Sequence, residues 1–233
     1  MGQGFTIAAM MVAASTTAAA AQGFNGAEVD INTSSYSGEG DGGVTTLQGS
    51  VEFGVTDRLA FALDAGSAVS RPGDGEAGTA TLHVVYDLSP MASLGAFSAA
   101  DESDEVTFST YGAEIGMGFG ASSFEGFVGV GNIEDAVDIT VLGVDGTFGI
   151  GSRYALTSSF AYLDSEADVQ LSRLGLGAEA RLGQASTLYL EVGQDDIEGE
   201  TAEYVGLGAR FAFGRNRGTT FDPRGVVELF SGL

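Results

Sequence analysis

Arg173-Leu-Gly-Leu-Gly-Ala-Glu-Ala-Arg-Leu182 alternates without a break between two kinds of side chain. Leu174, Leu176, Ala178, Ala180 and Leu182 share one parity; Arg173, Gly175, Gly177, Glu179 and Arg181 share the other. Successive side chains of a strand point to opposite faces, so a period of two marks a strand with one apolar and one small or charged face. A helix would need its apolar residues three and four apart. This stretch is a strand.

The same alternation runs outward from it in both directions. Leu188, Leu190 and Val192 alternate with Tyr189, Glu191 and Gly193, and Val205, Leu207, Ala209, Phe211 and Phe213 with Gly206, Gly208, Arg210 and Ala212. Upstream, Val51, Phe53 and Val55 alternate with Ser50, Glu52 and Gly54, and Leu82, Val84, Tyr86 and Leu88 with Thr81, His83, Val85 and Asp87. Twelve such segments are predicted, over 27–36, 44–55, 58–70, 78–88, 91–99, 105–120, 123–133, 136–151, 153–164, 169–183, 187–195 and 203–214. In the sixth, Phe108 and Tyr111 fall out of phase, as a β-bulge would make them.

Repeats of about ten residues with an apolar parity are the pattern of a strand that faces lipid on one side and a polar interior on the other. Composition agrees: 44% of residues are apolar, yet mean hydropathy is only slightly positive at +0.16. Beyond the first residues nothing approaches the roughly 18 continuous apolar residues that a membrane helix requires. The predicted fold is therefore all-β, a transmembrane antiparallel up-and-down barrel of about 12 strands.

The connections between segments are sorted as well. Ser37–Gly43, Arg71–Ala77, Ala100–Glu105, Asp164–Asp168 and Asp195–Glu203 read as long acidic loops, whereas Thr56–Arg58, Leu88–Met91, Gly120–Ser123, Gly151–Arg153 and Gly183–Ser186 read as tight turns. Asn132–Ala136 is short but acidic. More than half of the 32 acidic residues fall on the long-loop side, and Arg58, Arg153, Arg181, Arg210, Arg215, Arg217 and Arg224 are assigned to the other. Long loops at one end and tight turns at the other is the asymmetry of outer-membrane barrels. The net charge of −23 argues against nucleic acid as a partner.

The ends of the chain are expected to lie outside the barrel. Ile7–Val12 is an apolar run, and Ser15–Ala21 ends in small residues, so residues 1–21 are predicted to be a signal peptide. The barrel is expected over 22–214. Residues 215–233 form a tail at the turn-side, periplasmic mouth, either loosely docked or folded back as a short plug, the loose end being the expected state.

The last strand, Gly206-Leu-Gly-Ala-Arg-Phe-Ala-Phe213, resembles the C-terminal recognition strand of gram-negative outer-membrane β-barrels of the porin-like family. That resemblance implies insertion by the outer-membrane assembly machinery, an outer-membrane location among lipid and lipopolysaccharide, and passage of small hydrophilic solutes. One departure is plain: the chain continues for 19 residues after Gly214, where many porins stop at the terminal aromatic.

The candidate site is the inward-facing ionisable set, expected to line a pore: Glu52, Asp64, His83, Asp87, Glu114, Glu125, Asp145, Arg173, Glu179, Arg181, Glu191 and Arg210. The many inward small residues, among them Gly54, Ala60, Ala62, Gly116, Gly129, Gly175 and Gly208, are expected to leave the lumen water-filled. Carboxylates outnumber arginines there, so the pore is expected to prefer cations. No enzymatic role is expected of His83, which lacks a converging nucleophile. No cofactor is expected, nor a dedicated metal site in acidic stretches such as Asp101–Glu105, which lack the spacing of a calcium loop. The alternative is a closed structural or surface-interaction barrel. Oligomeric state is left open by the sequence.

Overall fold

The computed structural model describes residues 23–37, 42–71, 75–103, 106–134, 136–167, 169–215 and 218–230. The expected signal peptide lies outside them. Twelve strands form one closed barrel: β1 (Phe24–Ser37), β2 (Gly43–Gly54), β3 (Leu59–Arg71), β4 (Glu76–Ser89), β5 (Ala92–Ser103), β6 (Thr107–Phe119), β7 (Ser122–Ile133), β8 (Val137–Ile150), β9 (Tyr154–Ser165), β10 (Gln170–Arg181), β11 (Ser186–Ile197) and β12 (Glu200–Gly214). Each strand pairs antiparallel with its chain neighbours, and β1 closes on β12 from Gly26↔Gly214 to Ser37↔Glu203. Closure leaves no unpaired sheet edge, which a bilayer would not tolerate.

Strands of 12 to 15 residues fit the task of crossing a membrane. At about 3.3 Å per residue a 12-residue strand is about 40 Å long, and a tilt of about 45° brings its height close to a hydrocarbon core of about 30 Å. The outward parity holds the apolar side chains: Phe53, Phe61, Leu82, Tyr86, Leu174, Leu188, Leu207 and Phe211 are all exposed on the barrel wall. Phe119, Phe148, Tyr154 and Phe213 are exposed too, all near the turn end of their strands, where they begin an aromatic girdle.

Three expectations about the strands need correction. Loop length is not sorted: the acidic-end connections are two to five residues and the others two to four, because the strands run on into the acidic stretches. Only charge is sorted. Asp101 and Asp195, expected in loops, are strand residues facing inward and almost fully buried. There is no bulge at Phe108, since β6 pairs in continuous register with β5 and β7. Phe108 simply points inward, where it meets an apolar cluster.

The largest correction concerns the tail. Residues 218–230 lie inside the barrel, not loosely at its mouth. They enter at the turn end, where the Gly218 carbonyl oxygen sits so close to Gly26 that a Cβ there would come within 2.0 Å of it. Phe221 then packs with Ala60 and Val85. A single helical turn, α1 (Val226–Leu229), ends the run. Val226 and Phe230 join a buried cluster with Phe97, Ala99, Phe127, Ile139, Val141, Ala161, Leu163 and Leu171. A wet pore has no use for such a patch on its inner wall; a folded-in segment buries it.

Most of the inward glycines are thus not open volume. A Cβ at Gly95 or Gly116 would meet the Phe221 ring at 2.7 or 3.1 Å, one at Gly129 would meet Phe97 at 2.9 Å, and one at Gly208 would strike Tyr189 at 2.2 Å. Small residues on one strand make room for aromatic rings from elsewhere. Gly208→Val is expected to destabilise the barrel by about 1–3 kcal/mol through overpacking against Tyr189, whereas Gly118→Ser, with nothing within 4 Å of its Cβ, is expected to be neutral. Paired urea unfolding midpoints check this.

Candidate functional site

The lumen is divided by the tail. Along the β2–β8 wall the tail is bound by polar side chains of the barrel; along the rest an open, water-accessible cleft remains. Binding begins where the Thr220 amide donates to Glu52 Oε2 at 2.8 Å, with Asn25 Nδ2 holding the other Glu52 oxygen at 2.9 Å. The Asp222 amide donates to Glu125 Oε2 at 3.2 Å. The Val226 amide, at the start of α1, donates to Asp101 Oδ2 at 2.9 Å.

Arg224 is the centre of this interface and is 1% exposed. Its Nε donates to Glu114 Oε2 at 3.0 Å, its Nη2 to Glu125 Oε2 at 2.7 Å, and its Nη1 lies 3.7 Å from Asp145 Oδ2. The guanidinium carbon stands 4.6 Å from the centroid of the Phe127 ring. Behind Glu114, His83 bridges two carboxylates, with Nδ1 2.7 Å from Glu114 Oε1 and Nε2 2.6 Å from Asp64 Oδ2. A buried arginine is tolerable only when its donors are met in this way.

Two further clusters line the cleft. Arg210 reaches Glu28, Asp30 and Glu179 at 3.1, 3.3 and 3.5 Å, and Tyr189 donates to Asp30 at 2.6 Å. Arg173 donates to Asp195 and Tyr204 at 3.2 Å each and to Tyr36 at 3.3 Å, and it lies 4.0 Å over the Tyr204 ring. Tyr204 in turn donates to Glu191.

The twelve predicted residues therefore separate. Glu52, Asp64, His83, Glu114, Glu125 and Asp145 form the wall of Arg224 and its neighbours, Arg173 with Glu191 and Arg210 with Glu179 face the cleft, and Asp87 and Arg181 sit at the turn-end rim, in none of the three clusters. Glu52, Asp64, His83 and Glu114 are buried, so in this state they line the tail and not a pore. Sequence reasoning missed Glu28, Asp30, Tyr36, Asp101, Tyr189, Asp195, Tyr204 and Arg224. The first three and the two later tyrosines carried the inward parity; Arg224 carried none, being outside any strand.

The cleft has a volume of about 250 Å³ and is bounded by β1, β2 and β8–β12 on one side and by Asp222–Arg224, Glu228 and Leu229 on the other. Seven carboxylates (Glu28, Asp30, Asp145, Glu179, Glu191, Asp222, Glu228) and three arginines (Arg173, Arg210, Arg224) border it. Glu228 accepts a hydrogen bond from the Gln48 amide. Burial, reinforced by Asp30, Asp64, Asp222 and Asp101, holds its carboxyl well above the ordinary carboxylate value of 4.5. A carboxyl raised in the docked state favours docking while protonated, so docking weakens as pH climbs from that ordinary value. Protease sensitivity of the tail is expected to increase as pH rises above 4.5, and Glu228→Gln to reduce that dependence.

No protein-family model matches the chain, and no curated protein matches it. Solved structures do. The NanC porin aligns with a TM-score of 0.64 at 10% identity over 78% of this chain and 98% of that one. The KdgM porin aligns at 0.62 and 8% identity over 80% and 99%, and it has also been solved with disordered oligogalacturonate. An outer-membrane channel from Pseudomonas putida F1 aligns at 0.55 and 14% identity over 83% and 96%. At such identities the likeness is one of architecture: the chain is built as a 12-stranded barrel of the outer-membrane porin kind.

Proposed function

We propose that this barrel sits in the outer membrane and passes small hydrophilic solutes by diffusion, preferring cations, with its own C-terminal segment as a removable obstruction. The observation that carries the reading is the polar cleft left beside the tail, bordered by seven carboxylates and three arginines. Low-dielectric walls lined by one excess sign concentrate the opposite ion. The acidic rim adds to that field outside. The architecture shared with the porins supports passage of small solutes but carries no ligand across, and the oligogalacturonate belongs to the KdgM porin.

Planar-bilayer conductance tests this reading on two full-length chains, the wild type and Val226→Asp. The substitution buries a charge in the apolar patch and is expected to release the tail. Conductance is expected to be small in the wild type and several-fold larger in the variant. Across a potassium chloride gradient the reversal potential should favour potassium. Replacing Glu166, Glu198 and Glu200, all exposed at the acidic end, with amides should reduce that preference. The reduction should fade with salt, as the Debye length shortens from about 30 Å at 0.01 M to about 3 Å at 1 M. An anion-selective current would overturn the charge preference.

The second reading is a closed structural or surface-interaction barrel. The burial of Arg224 and Phe221 favours it, since a plug so firmly seated need never leave. Folded Val226→Asp chain that carries no current would decide for it.

A further inference from the structure

The groups around Arg224 were not shaped by Arg224 alone. Glu114, Glu125, Asp145 and Phe127 belong to β6, β7 and β8, which pair in unbroken register. Glu114 is fixed from behind by His83, and His83 by Asp64, all three on strands of the barrel. The cradle therefore belongs to the wall, and the tail supplies only its occupant. Each of the three guanidinium nitrogens faces a different carboxylate, at 3.0, 2.7 and 3.7 Å, while the Phe127 ring covers the guanidinium at 4.6 Å. That geometry suits a flat, forked cation. A single ammonium point charge has neither the span for three separated carboxylates nor the planar face for the ring.

We propose that Glu114, Glu125, Asp145 and Phe127 form a guanidinium-binding site of the lumen, filled in cis by Arg224 while the tail is docked. When the tail withdraws, the site takes a solute bearing a guanidinium group. The proposal rests on the reading of the lumen as a solute path for its role, though not for its chemistry. A tethered arginine competes at high effective concentration, so a free solute gains access only as docking weakens. The site thereby couples what passes to whether the tail is seated.

The test uses full-length Arg224→Ala chain folded in detergent, in which the cradle loses its occupant. Methylguanidinium at millimolar, non-denaturing concentration is expected to raise the urea midpoint of the variant toward that of the wild type. Methylammonium at matched ionic strength is expected to need roughly tenfold more for the same shift. Adding Glu125→Gln to the variant should abolish the rescue. Equal rescue by the two cations, or an equal effect on wild type and variant, would overturn the proposal.

Should Arg224→Ala not fold, calorimetric binding of arginine amide to Val226→Asp chain decides the question. Binding roughly tenfold tighter than that of lysine amide supports the site; equal binding overturns it. Neither readout needs a current. Selective binding without conductance would keep the site and remove the channel reading. Conductance without selective binding would do the reverse.

Discussion

Replacing Arg224 with methionine is expected to shift the equilibrium between docked and released tail by about 3–5 kcal/mol toward release, roughly two to four orders of magnitude. The size comes from what is left behind. Glu114 is buried and carries two ion-pair partners, His83 and Arg224; among the described residues Glu125 has only Arg224 and the Asp222 amide. Methionine fills the volume but meets none of the carboxylates, and an uncompensated buried charge is among the largest penalties a fold can carry. The chain escapes it by withdrawing the tail and rewetting the wall. The expected result is therefore a tail that proteases cleave in barrels whose strands remain folded. Adding Glu114→Gln and Glu125→Gln to the methionine variant should recover part of the loss, because the interaction is shared and the effects do not add. A tail that stays protected in the single variant would show that the apolar contacts of Val226 and Phe230 suffice without the ion network.

The second large effect concerns the outer wall. Leu176 lies in the middle of β10, 59% exposed on the outward face. Leu176→Arg is expected to cost about 2–4 kcal/mol of stability in a bilayer, the cost of a lipid-facing arginine near the midplane. In a short-chain detergent, where the head group reaches water more easily, the cost should be smaller. Gly177, its inward neighbour, is a poor control because a Cβ there would come within 2.4 Å of Thr157 Oγ1 and 2.9 Å of the Leu190 carbonyl oxygen. Gly118→Ser is the better one. Unfolding from liposomes by urea provides the comparison, and equal midpoints for Leu176→Arg and Gly118→Ser would mean that the outward face does not meet lipid.

Strand count, strand direction and the division into two faces were legible in the sequence by itself. Each depends on the strict two-residue period of a strand, which local residue identity sets and which distant contacts do not alter. Stretches such as 173–182 carry it unmistakably, and Leu174, Leu176, Leu188, Leu207 and Phe211, all on the apolar parity, are exposed on the outer wall. Strand length was underestimated where a strand runs on into an acidic stretch, as in β5 and β11, for the same local reason. Asp101 and Asp195 look like loop residues by charge, and only the pairing of neighbouring strands, with Arg173 or the α1 amide as partner, makes their burial favourable.

The contents of the lumen were decided by tertiary structure. Inward glycines and alanines say that a wall is thin there, not what occupies the space beyond, because the occupant comes from strands or tail far away in sequence. Gly116 and Phe221 are one example; Gly208 and Tyr189 on the adjoining strand are another. A signal did exist. Phe97, Phe127, Ile139, Val141, Leu163 and Leu171 are large apolar residues on the inward parity, and Val226, Leu229 and Phe230 are apolar residues in a tail that would otherwise be wet. A period of two assigns such residues to a face and stops. That the two sets meet, and that Arg224 between them answers three carboxylates, follows from closing the barrel, which brings β6, β7 and β8 to one side of a space that the chain's own end can enter.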